Sequence, residues 1–263
     1  MSVPIIVATA IPAEPTAPEE PETLVLGPSL GTTTAVWNRA RRYLTPWHPL
    51  LVWDLPGHGS SPATTDPFTI LDLAEGVLRA ADAADLDTFA YAGISLGGVA
   101  GLQLALRWPD RVSRLALICS LPKIGTAEGW LQRAADVRAM GTPSLVTGAG
   151  GRWFTPGFLE REPEVAARVL HDLLDVDDES YALCVDALRE TDLRDAMAGL
   201  AMPFTLIVGD SDPVISIDEA QAVVESAPDG ALHVVHDASH MAAVEHPAKV
   251  AGILIAPDVG GTP

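Results

Sequence analysis

The sequence predicts an α/β fold in which a mostly parallel sheet is flanked by helices and a helical cap is inserted between two of its strands. Three observations carry that prediction. Short, continuous apolar runs recur along the 263 residues with helical patterns between them. Parallel strands covered on both faces read this way, because neither side of such a strand meets water. One connection between runs is far longer than a crossover helix needs, and a serine flanked by glycines sits where an apolar run gives way to a helical pattern.

Taken in order, residues 1–22 form a Pro/Glu-rich N-terminal segment. Its part "IPAEPTAPEEPE" at 11–22 has too few large apolar side chains to bury much, and it predicts an exposed arm. Strands are expected at "TLVLG" (23–27), "LLVWDL" (50–55), "FAYAGI" (89–94), "LALICS" (115–120), "FTLIVG" (204–209) and "LHVV" (232–235). The stretch between the fourth and fifth of these runs from 121 to 203, whereas a crossover helix with its loops takes ~10 to 12 residues or a little more. Its patterns, "AEGWLQRAADVRAM", "PEVAARVLHDLLDV" and "SYALCVDALRETDLRDAM", are helical in period. Residues 23–121 and 198–263 are therefore assigned to the core, and 122–197 to a helical cap over the strand ends.

Composition narrows the function. Sixteen basic residues against thirty-five acidic ones give a net charge of −19, which repels phosphate backbones, so no nucleic-acid partner is expected. An anionic ligand would need a local cationic pocket to overcome the same charge. No apolar stretch approaches the ~18 to 20 residues that cross a bilayer, so no membrane partner is expected. The apolar run near the start is broken by Pro12 and Pro15 and has no basic flank, which predicts a cytoplasmic protein. Cys119 and Cys184 lack metal-type spacing and read as buried free thiols, so neither disulfide, metal nor cofactor is expected. Oligomeric state is not encoded in any pattern recognised in the sequence.

The stretch "YAGISLGGVAG" at 91–101 carries the chemistry. A nucleophile at a strand-to-helix turn needs a tight backbone with other chain crossing close by, and Gly93 and Gly97 remove the Cβ atoms that would clash. Ser95 then faces a cleft, with the Leu96 N–H at the helix start aimed beside it as half of an oxyanion hole. A hydrolase built on such an elbow needs an acid after a later strand and a histidine near the C-terminus, in the order Ser, Asp, His. "FTLIVGDSDPV" offers Asp210 and Asp212, and "LHVVHDASHMAAVEHP" offers His236 and His240.

Through "DLPGHGSS", "GISLGG", "GDSDPV" and "ASHMAAVEHP" the sequence resembles the α/β-hydrolase family over nearly its whole length. The resemblance implies Asp212 as the acid and His240 as the base beside Ser95, with Asp210 as the fallback acid. It also implies Leu30 N–H, in "GPSLGTTTAVW", as the second oxyanion donor, although the loop lacks the His-Gly pair common there. His58 in the Gly-rich loop reads as structural, and His233, His236 and His246 as structural or surface residues.

That same loop, with "KIGTAEGWLQRAADVRAMG", "GRWFTPGF" and "YALCVDALRETDLR" in the cap, resembles the 3-oxoadipate enol-lactonases. The substrate then implied is a small anionic lactone, opened through an acyl-enzyme. Its carboxylate calls for a cation, and Arg133 is favoured over Arg138, Arg152 and Lys123. Trp130 and Trp153 are substrate-binding candidates that could equally be packing aromatics. Another carboxylesterase, a C–C bond hydrolase or a non-catalytic binding protein on the same fold would share the trio.

Overall fold

The computed structural model describes residues 2–256. The last part of the predicted core segment, 257–263, lies outside the described residues, as does Met1. Seven strands form one sheet, β1 (Ala8–Ile11), β2 (Leu24–Gly27), β3 (Leu50–Trp53), β4 (Phe89–Ile94), β5 (Val112–Ile118), β6 (Phe204–Gly209) and β7 (Gly230–Val235), in the order β1-β3-β2-β4-β5-β6-β7. All neighbours pair in parallel except β1 with β3. β2, β3 and β4 are buried at every position, which is why they read as unbroken apolar runs rather than as alternation. β7 lies at the edge and is partly exposed along most of its length.

The short helix α1 (Arg41–Leu44) precedes β3, α2 (Ile70–Asp82) and α3 (Leu96–Arg107) flank β4, and β5 begins three positions before its apolar run. α2 starts at a capping box, with Thr69 accepting from Asp72 N–H and the Asp72 carboxylate accepting from Thr69 N–H in return. Between β5 and β6 the chain makes α4 (Ala127–Met140), α5 (Val146–Trp153), α6 (Pro156–Arg161), α7 (Pro163–Asp172) and α8 (Asp178–Arg189). After β6 come α9 (Ile217–Ser226), then, beyond β7, α10 (Ala242–Glu245) and α11 (Pro247–Ile255). Among the described residues no helix is long and apolar enough to cross a membrane.

Of the predicted arm at 11–22, only Ile11 lies in a strand, together with the three residues before it. Residues Ala8–Ile11 pair antiparallel with β3, from Ala8 opposite Trp53 to Ile11 opposite Leu50. Their alternation is too short to announce a strand, and it is the unpaired edge of β3 that recruits them. Residues 12–23 carry no helix or strand, yet they are pinned. Glu14 N–H donates to Thr45 O at 2.8 Å, the Thr45 hydroxyl donates to the Glu14 carboxylate at 3.0 Å, and the Ser113 hydroxyl donates to Glu22.

Candidate active site

The turn after β4 is built as the spacing requires. Ser95 has φ +51°, a left-handed conformation that costs an L-residue on the order of 1 kcal/mol or more and persists only where surrounding contacts enforce it. Those contacts are backbone: Ser95 N–H donates to Ile118 O at 2.9 Å and Gly97 N–H to Pro28 O at 3.0 Å. A Cβ on Gly93 would lie 2.3 Å from the Gly97 carbonyl carbon, and one on Gly97 would lie 2.5 Å from Pro28 O. Either side chain would force the β2 loop, β4 and α3 apart.

Behind the serine, His240 Nδ1 lies 2.9 Å from Asp212 Oδ2. Asp212 Oδ1 accepts the Val214 N–H at 2.8 Å, and the carboxylate side chain is fully enclosed. The acid is thus oriented by backbone on one oxygen and orients the imidazole with the other. Asp210, by contrast, pairs with the exposed His236 at 3.0 Å and accepts the Asp237 N–H at 2.9 Å, away from His240. Between the two candidate acids, the geometry brings Asp212 to the histidine.

Ser95, His240 and Leu30 open onto one cavity of about 400 Å³, with Trp130, Arg133, Arg152, Trp153 and Tyr181 facing it from the helices between β5 and β6. Among the described residues the Ser95 hydroxyl has no hydrogen-bond partner, so it is not joined to His240. The amides of Leu30 and Leu96 likewise donate to no described residue. Leu96 is the first residue of α3, where the helix leaves its N–H groups unsatisfied.

The segment carrying His240 is clamped on both sides. Met241 N–H donates to Trp153 O at 2.9 Å and the Ser239 hydroxyl to Arg152 O at 2.9 Å. The buried Glu245 carboxylate accepts from Ser239 N–H at 2.6 Å, and from Thr155 N–H and its hydroxyl at 2.8 Å each. No motif in the sequence singled out Glu245.

Cations divide clearly. Arg138 is held by Glu179 and Asp186, each at 2.9 Å, and Lys123 by Asp192 at 3.0 Å. Neither Arg133 nor Arg152 forms an ion pair among the described residues, and both line the cavity. Burial, and then the nearby Arg133 charge, push the Arg152 guanidinium below its ordinary value. Burial raises the Tyr181 phenol while Arg133 opposes it. Arg133 also lies over the Trp130 ring, 5.4 Å from its centroid. Trp130 uses its own N–H to hold Ile124 O at 2.6 Å.

Cys119 and Cys184 are buried free thiols. The Cys119 sulfur, one Asp212 oxygen and one His240 nitrogen all lie within 4.8 Å of one another. Burial, and then the Asp212 charge, push the Cys119 thiol well up, and its S–H donates to Ser239 O at 3.7 Å.

A parallel sheet with a strained serine at one strand end and an imidazole–carboxylate pair beyond two later strands defines a class, and the chain belongs to it. A profile described as "Alpha/beta hydrolase family" matches residues 24–253, and the protein is a hydrolase of that family. Within the family it is similar to 3-oxoadipate enol-lactonase 2 of Acinetobacter baylyi, at 34% identity over 85% of this chain and 84% of that one. It is similar in structure to the enol-lactonase from Burkholderia xenovorans LB400, with a TM-score of 0.90, 29% identity and 95% of each chain covered. A pimeloyl-acyl-carrier-protein methyl ester esterase of Vibrio campbellii is 26% identical over 82% of this chain and 87% of that one.

Proposed function

We propose that the protein is a serine hydrolase that opens the ring of 3-oxoadipate enol-lactone to give 3-oxoadipate. The Ser95 oxygen attacks the lactone carbonyl as His240 takes its proton, and Asp212 stabilises the imidazolium. The Leu30 and Leu96 amides receive the charge that develops on the carbonyl oxygen; one such donor is worth roughly 3 kcal/mol of barrier. The ring C–O bond then breaks with loss of an enolate oxygen, a better leaving group than an ordinary alkoxide, which His240 protonates. Water, activated by His240, releases the acid from Ser95, and the enol relaxes to the ketone.

The observation that carries this choice of substrate is the pair of guanidinium groups, Arg133 and Arg152, that have no acidic partner among the described residues and line the cavity that holds Ser95 and His240. Burial and the Arg133 charge both disfavour the Arg152 guanidinium, and an anion bound between the two would relieve that repulsion. The names of the relatives point the same way. Loss of the enol-lactone absorbance on adding purified protein tests the reading. Brisk cleavage of p-nitrophenyl acetate with the lactone left intact would overturn it in favour of an esterase.

A further inference from the structure

His58 stands in the loop after β3 and is fully buried. Its Nδ1 lies 2.8 Å from the Pro56 carbonyl oxygen, which can only accept, so that nitrogen carries the proton. Its Nε2 is then a lone pair, and it accepts the Gly31 N–H at 3.1 Å. The ring stacks on Tyr181, with centroids 6.2 Å apart and planes 20° apart, which fixes its orientation. Burial pushes the imidazole down to about 4, so the acceptor survives through the whole neutral range.

Gly31 follows Leu30. The peptide plane between Ser29 and Leu30 carries Ser29 O on one side and the Leu30 N–H on the other. Ser29 O accepts Thr32 N–H at 3.0 Å and the Thr32 hydroxyl at 2.8 Å. The next plane, between Leu30 and Gly31, is held by His58 through the Gly31 N–H. With both planes fixed, the Leu30 N–H has one direction left. Gly31 itself sits at φ +81°, a left-handed conformation that glycine adopts without steric cost.

We propose that His58, as a neutral ring protonated on Nδ1, is a positioning residue that aims the Leu30 amide at the oxyanion by holding Gly31. This rests on the serine-hydrolase reading above. The ring touches neither substrate nor reacting atoms; it acts through two peptide planes.

The test uses His58→Phe, which keeps a stacking ring and removes the acceptor, and His58→Gln, whose side-chain oxygen can accept from Gly31. Two readouts are followed: the rate at which a fluorophosphonate labels Ser95, and kcat and KM for p-nitrophenyl acetate. Absence of labelling in the parent protein would refute the serine-hydrolase reading itself, separately from the role of His58. Given labelling there, His58→Phe is expected to slow both labelling and kcat by about 10- to 100-fold with KM changed less than about twofold, and His58→Gln to recover most of the rate. A folded His58→Phe protein that labels at the parent rate, or loses only KM, overturns the proposal. Should His58→Phe not fold, the imidazole ¹⁵N spectrum of the parent protein decides: a proton on Nδ1 with a bare Nε2 is required, and a proton on Nε2 overturns it.

Discussion

The two walls of the cavity are made differently. At the strand ends, Ser95, Leu96, Asp212 and His240 are set by backbone: a left-handed φ, glycines that let chains touch, and amides that hold a carboxylate. On the facing wall, Trp130, Arg133, Arg152, Trp153 and Tyr181 project from α4, α5 and α8, and what they contribute is side-chain charge and shape. The difference teaches where tolerance lies. On the proposed function, changes to the first wall should disturb the geometry of bond breaking, and changes to the second should alter which molecule is held while the sheet beneath keeps its form. The walls meet where Met241 N–H reaches Trp153 O and where His58 stacks on Tyr181.

The contrast can be broken most forcefully at the serine. Ser95→Ala is expected to cut kcat on a neutral aryl ester by about 10⁵-fold or more while thermal unfolding shifts little, since the side chain contributes chemistry and almost no core. A large fall in Tm would instead make Ser95 a packing residue. Next comes Asp212→Asn, with an expected loss of about 10³- to 10⁴-fold in kcat through the wrong tautomer of His240. Asp210→Asn assayed beside it should leave kcat within about twofold, because Asp210 serves His236.

A smaller effect should appear in stability. The folded value of His58, about 4, lies below the unfolded value near 6.5, so between them the unfolded chain binds the proton and the folded one does not. Its contribution is complete above pH 6.5 and drains away as pH falls toward 4, reaching about 3 kcal/mol lost. Asp54, raised by burial, titrates in the opposite sense and offsets part of that slope. Urea unfolding at pH 7.5 and pH 5 should therefore show a steeper decline in the parent than in His58→Phe. Finally, on the facing wall, Arg133→Ala should raise KM for the anionic lactone by about 10- to 100-fold, the scale of one charged hydrogen bond, and leave a neutral ester nearly unaffected. Equal losses on both substrates would move the carboxylate contact elsewhere.

Sheet and elbow were legible because their physics is local. β4 spans the same residues as its apolar run, and "GISLGG" carries within six residues both Ser95 and the glycines whose missing Cβ atoms let chain pass beside it. β1 was not legible: four residues of weak pattern become a strand only because the edge of β3 is there to pair with. Glu245 and the Arg152 backbone had no signature either, since what they hold is brought in from distant segments. His58 read as part of a tight turn, and nothing in "DLPGHGSS" alone says that its outer nitrogen will find Gly31.

By itself, then, the sequence determined the mostly parallel sheet, the long helical connection and the chain order of Ser95, the acid candidates and His240, because burial on two faces and steric permission at a turn act over a few neighbouring positions. Only the tertiary structure brought Asp212 rather than Asp210 to His240, separated Arg133 and Arg152, which have no ion pair among the described residues, from the ion-paired Arg138 and Lys123, and set His58 against Gly31. Those outcomes depend on distances between side chains far apart in the chain, and a hydrogen bond exists only once folding has brought donor and acceptor within about 3 Å.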